Sequence, residues 1–356
     1  MKIQAIAVIL FSTIASVYSQ QEYFDAFKIL KAKTDSAGIT FKEAVFLVEG
    51  AYLGNLRKGA ELQDRIDLLQ KIVTIRELAD SLDYNKKDKP KIKKYAAIFR
   101  VFTDTTSLRV NGTDTELTWL PMSYNFEDVF GAKDWTNMFV SKLLETKKGN
   151  CHSLPYLYKI ICEELDIPCH LALAPNHLYI KHRSEKTGWY NVELTSGSFP
   201  IDAWLMASGY ISLESVQKGI YLDTLSRKES IALCILDLAQ GYNHKYPDND
   251  GTFAVECCNL ALKYFPHSVN AMLLKAETRL KQLQAMQKQY GYTFLKEVTA
   301  IPAGKIHWDE MNSLYLQLYK LGYRQMPEQM YVEWLTSLKT EKEKYNDRNV
   351  PGATKD

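Results

Sequence analysis

Lys148-Gly149-Asn150-Cys151-His152-Ser153-Leu154, followed by Pro175-Asn176-His177 and then by Trp189-Tyr190-Asn191-Val192-Glu193-Leu194-Thr195, is the stretch whose reading decides the fold. From Cys151 to Leu165 the apolar residues Leu154, Leu157 and Ile161 recur at helical spacing, and Pro155 is tolerated because first-turn amides have no intrahelical acceptor. The helix is therefore expected to begin near Cys151. Ile167–Ala174 and Leu178–His182 read as strands around a Pro175-Asn176 turn, with Trp189–Leu194 as a third strand after the polar Arg183–Gly188 loop. A helix followed by a small antiparallel sheet, set among long helical stretches, places the chain in the α+β class.

Three residues in this stretch carry chemistry. A cysteine at a helix N-terminus has its thiolate favoured by unpaired amides and the positive end of the helix dipole, which suits Cys151 to act as a nucleophile. The Cys151 backbone amide is then a donor for the oxyanion that forms when a carbonyl is attacked. If the hairpin pairs Tyr179 with Asn191, the same register puts His177 opposite Glu193, and opposed residues share a face. His177 takes the Cys151 proton through one nitrogen while Glu193 orients the other. A slip of one residue would destroy this arrangement. His152 adjoins the cysteine but points about 100 degrees away on a helix, so it reads as a capping or packing residue.

In this order of elements, Phe126 to Ser208, about a quarter of the chain, resembles the transglutaminase-like superfamily of papain-type folds. That family places a cysteine at a helix start, a histidine on a strand and an aspartate or a substitute on the next strand. Here Glu193 stands where aspartate is usual. The resemblance implies a cysteine nucleophile acting on amide bonds through a thioester, with Cys151, His177 and Glu193 as the triad. A protein or peptide would be the substrate, and either water or an amine the final acceptor. Trp135 and Asn137 lie upstream, where a second oxyanion donor could come from, and the sequence does not choose between them. The competing reading is a catalytically weak or inactive scaffold whose C-terminal helices recruit a protein partner.

The flanks are helical. Thr40 followed by Glu43 reads as a capping box, and Leu62, Ile66, Leu69 and Val73 form an apolar stripe. Asn85–Lys94, with Pro90 and six lysines, reads as a solvated connector. After Arg227, Ala239, Tyr242, Ala254, Cys258, Ala261 and Pro266 fit one imperfect tetratricopeptide-like helix pair with extra residues in the Asn243–Gly251 turn. Met1–Ser19 combines Lys2, an apolar run from Ala5 to Phe11 and small residues before Gln20, the pattern of a cleaved secretory signal. The expected organisation is a signal over 1–19, a helical region over 20–95, a transglutaminase-like core over 96–225, helical hairpins over 226–345 and a tail over 346–356. The protein is expected to be secreted or periplasmic.

Composition bounds the rest. The 356 residues, 46% hydrophobic and 24% charged, resemble an ordinary globular chain and exclude disordered, collagenous and multi-span membrane classes. A net charge of +2 is too near neutral for a dedicated nucleic-acid binder. Cys162, Cys169 and His170 lack the close paired spacing of a structural zinc site and read as core, as do Cys257 and Cys258. There is no P-loop, dinucleotide fingerprint or zinc-protease histidine pair, and the reading calls for neither a cofactor nor a metal.

Overall fold

The computed structural model describes residues 20–54, 59–109 and 116–346. The expected signal over 1–19 and nearly all of the expected tail lie outside the described residues. Helix α1 covers residues 20–35, followed by α2 (Phe41–Leu53), α3 (Gly59–Ala79) and α4 (Lys89–Thr103). Then come β1 (Thr106–Arg109), β2 (Glu116–Trp119), β3 (Ser123–Tyr124), α5 (Val140–Thr146), β4 (Lys148–Gly149), α6 (Ser153–Glu164), β5 (His170–Ala174), β6 (His177–Ser184) and β7 (Gly188–Val192). The remaining helices are α7 (Asp202–Ser208), α8 (Leu213–Gln217), α9 (Arg227–Lys245), α10 (Thr252–Tyr264), α11 (Val269–Tyr290), α12 (Pro302–Lys320) and α13 (Glu328–Asn346). The class is α+β.

The chain forms two compact units, each discontinuous in sequence: Met1–Gly59 with Ser226–Tyr323, and Ala60–Leu225 with Arg324–Asp356. The units do not follow the consecutive division expected from the sequence. The boundary expected at residue 95 falls inside α4, because Asp88 stands at the N-cap and Pro90 occupies the first turn, where its missing N–H costs nothing. The expected lysine-rich connector is thus half helix. Residues 226–345 likewise divide, since α13 belongs with the sheet-containing unit.

In the helical unit, Thr40 and Glu43 form the expected capping box, with Glu43 N donating to Thr40 Oγ1 at 3.1 Å and Thr40 N to the Glu43 carboxylate at 2.8 Å. Ser226 and Glu229 cap α9 in the same way. No strand occurs beyond Arg227 among the described residues, and Ala254, Cys258 and Ala261 are all buried. Gly251 opens α10 at φ 78°, and a Cβ there would meet Thr278 Cγ2 at 2.4 Å, so the position needs glycine for both its backbone and its space.

The other unit is built around α6. Its residues from Ser153 to Cys162 are buried on every side, more than the Leu154, Leu157 and Ile161 stripe implies. A helix apolar all round sits in a core, and each fully buried Leu or Ile stabilises it by about 1.5–3 kcal/mol. The buried exception, Lys159, pairs with Glu163 at 2.7 Å and donates to the Cys169 carbonyl at 3.0 Å. Against α6 lies the antiparallel sheet β5-β6-β7. Asn176 at φ 56° completes the two-residue β5–β6 turn after Pro175.

Candidate active site

Gly149 and Asn150 fix Cys151. β4 pairs in parallel with β3, Tyr124 opposite Gly149, so Tyr124 is set beside the backbone that leads into Cys151. A Cβ on Gly149 would come within 2.6 Å of Ser153 Oγ, so only glycine lets the strand run this close to the helix start. Asn150 is fully buried, and its Oδ1 accepts from His152 N at 3.0 Å and Ser153 N at 3.2 Å. The helix therefore begins at Ser153 behind a His152 cap, two residues later than expected. The correction matters because Asn150 takes the first-turn amides that were expected to stabilise the thiolate. His152 turns away from Cys151: Nδ1 meets Met138 O at 2.9 Å and its ring lies against Tyr156.

The hairpin register differs from expectation by two residues. Lys181 faces Asn191 and Ile180 faces Val192, so Glu193, just past the end of β7, is diagonal to His177 instead of directly opposite. Because side chains alternate with period two, an even displacement keeps both on one face. Glu193 covers the extra distance, and its Oε2 lies 2.6 Å from His177 Nε2. The other Glu193 oxygen accepts from Thr195 N at 2.7 Å. Cys151, His177 and Glu193 are brought together, with His177 placed between its two partners.

Electrostatics orders the three groups. Burial opposes ionisation of Cys151, but the hydrogen bond and charge of His177, with the facing hydroxyls of Tyr331 and Tyr124, overcome it and hold the thiol below its usual value. Burial likewise disfavours the imidazolium, yet the adjacent Glu193 charge and Cys151 push His177 up to about 10. For Glu193, too, burial favours the neutral acid, while the charge and hydrogen bond of His177 bring its pKa below the ordinary value. All three shifts point the same way, each favouring the charged form of its group in a row of cysteine, histidine and glutamate.

Three further residues were not foreseen. Tyr331, fully buried on α13, has its hydroxyl 3.1 Å from Cys151 Sγ and 3.2 Å from His177 Nδ1, bridging them. Trp334 meets the His177 ring edge to face at 4.8 Å and donates from Nε1 to Ser208 Oγ at 3.1 Å. Tyr331, Trp334, Leu335 and Leu338 form one buried stripe at helical spacing, a pattern visible in the sequence but without any sign of its target. Tyr124, from β3, turns a buried hydroxyl toward both the thiol and the backbone amide of Cys151. Of the two upstream residues, Asn137 has its side chain held by Asp128 at 2.7 Å and Lys142 at 2.7 Å. With these residues in place Cys151 is only 9% exposed.

A second cluster joins Cys162 and Cys169 to a histidine, but that histidine is His182; His170 instead lies against Trp189. Comparisons of the chain with protein-family models, with curated proteins and with solved structures find no match.

Proposed function

We propose that this chain is an exported, transglutaminase-like cysteine enzyme that acts on amide bonds of a protein or peptide. The observation that carries the reading is the buried row in which His177 presents Nε2 to Glu193 at 2.6 Å and its Nδ1 edge to the Cys151 side. The Cys151 thiolate attacks the amide carbonyl, forming a carbon–sulfur bond, and the carbonyl pair moves onto oxygen. In this reading the Cys151 amide and the Tyr124 hydroxyl, which lie together beside the sulfur, serve as donors to that oxygen. Collapse of the adduct breaks the carbon–nitrogen bond as His177 gives its proton to the departing amine, leaving a thioester. Water or a second amine then attacks the thioester, His177 takes back a proton, and the thiolate is released. Glu193 keeps the imidazole oriented throughout and stabilises it whenever it carries the proton.

The Tyr331 hydroxyl lies 3.1 Å from the sulfur and covers it, so in this reading turnover requires α13 to withdraw. That same seal favours a second reading, a scaffold whose thiol never meets substrate. The deciding experiment maps alkylation of the full chain by an iodoacetamide-type probe across pH. Rapid, selective labelling of Cys151 near neutral pH supports the enzyme. Labelling no faster than that of a free thiol, with or without α13, supports the scaffold.

A further inference from the structure

On the sheet face opposite to His177, the sulfurs of Cys162 and Cys169 and a ring nitrogen of His182 lie within 4.8 Å of one another, and all three residues are buried. Local structure brings them together. At the end of α6, Asp166 adopts φ 54° and Ile167 N bonds back to Cys162 O at 3.0 Å, reversing the chain toward β5. The β5–β6 register, His170 opposite Lys181, continues to Cys169 opposite His182. The hairpin thus offers one thiol and the imidazole, and α6 supplies the other thiol.

The imidazole is held in the form a cation needs. The Tyr158 hydroxyl donates to Tyr95 O at 3.4 Å, so its oxygen accepts from His182 Nε2–H at 3.2 Å. This assignment leaves a lone pair on Nδ1, which has no hydrogen-bond partner among the described residues. Tyr95 stacks on the ring at 3.7 Å and anchors its own hydroxyl on Pro168 O, fixing the ring plane. Ligating histidines characteristically give their second ring nitrogen to such a partner. Ligand atoms bound to one zinc at about 2.0–2.3 Å are roughly 3.5–4 Å apart, within the span of this cluster.

We infer that Cys162, Cys169 and His182 bind one thiophilic closed-shell cation, zinc(II) or copper(I), at a site separate from the Cys151 centre. Two thiolates and a neutral imidazole give an uncharged zinc site, and loading releases the two thiol protons. The site ties the end of α6 to the hairpin that carries His177.

The test uses the full reduced chain with zinc(II) alone or, without oxygen, copper(I) alone. One cation retained in native mass spectrometry is expected, with about two protons released on zinc loading and a thiolate-to-metal charge-transfer band when cobalt(II) replaces zinc. Cys151→Ser should bind as the unaltered chain does, and Cys162→Ser with Cys169→Ser should abolish retention. Because buried substitutions can unfold a protein, alkylation of the unaltered chain supplies a second reading. Metal should protect Cys162 and Cys169 while leaving the rates at buried Cys234, Cys257 and Cys258 unchanged. Failure to retain either cation, retention by the double variant, or a Cys162–Cys169 disulfide in the protein from its native compartment would overturn the assignment. None of these outcomes bears on Cys151.

Discussion

Glu193 reaches His177 along the diagonal of the hairpin, with its Oε2 2.6 Å from Nε2, although neither residue is the other's partner in the strand register. The extra methylene of glutamate over aspartate is what spans this displacement. Glu193→Asp should therefore lose the contact, while Glu193→Gln keeps the reach and loses the charge. Both should lower kcat on an amide substrate, by about 100-fold to 10,000-fold by analogy with other triads. Steady-state kinetics of the two variants checks this; an Asp variant as active as the parent chain would refute the diagonal reach.

The pH dependence follows from the directions of the shifts. His177 is raised from 6.5 to about 10, so its contribution to stability is complete below 6.5 and is lost as the pH rises through about 10. Glu193 is lowered from 4.5, so its contribution is present above 4.5 and lost as the pH falls below it. The lowered thiol acts in the opposite sense to His177, with stabilisation present above 9.0 and lost as the pH falls. Cys151→Ala removes that opposing contribution. With Glu193 still raising His177, its denaturation midpoint should decline as the pH rises above the ordinary histidine range, more steeply than in a variant that also carries His177→Phe.

Tyr331→Phe should retain the ring's packing but lose the hydroxyl that bridges Cys151 and His177. A hydrogen bond worth about 1 kcal/mol corresponds to a roughly five-fold change in the fraction of chains with α13 withdrawn. Alkylation of Cys151 should accelerate by about that factor, and by more in Tyr331→Ala. Simultaneous labelling of Cys162 serves as the control: if both thiols speed up together, the variant has unfolded and the site has not merely opened.

Asn150→Ala should destabilise the sheet-containing unit by about 1–3 kcal/mol, since the buried Ser153 amide and the part-buried His152 amide lose their acceptor. Chemical denaturation gives the figure, and Asn150→Asp, which retains the accepting oxygen, should recover part of it.

Much of this centre was legible because its parts lie close together in sequence. A glycine and an asparagine before the cysteine, a Pro-Asn turn before the histidine and an alternating strand before the glutamate are local signals, and they placed Cys151, His177 and Glu193. The register was misread by two residues because the polar Arg183–Gly188 stretch does not mark where its tight turn closes; the pair Ser184 and Gly188 does. The cap was missed because Asn150 carries no apolar period. Tyr331 and Trp334 could not be assigned to the centre, since an apolar stripe specifies that a helix is buried without naming its neighbour. The Cys162 and His182 contact depended on the same missing knowledge of which faces meet.

The separation of Tyr331 from Cys151 by 180 residues has a consequence for biosynthesis. At about 5–20 residues per second, the ribosome needs roughly 10–40 s after making the cysteine to make the tyrosine that covers it. Throughout that interval the nascent chain carries Cys151 without its cover, while the five cysteines that follow it in the sequence are being made. A nascent chain emerging into an oxidising environment would meet thiol oxidants during this period, so its risk of mispairing would be set by elongation speed as much as by the folded structure.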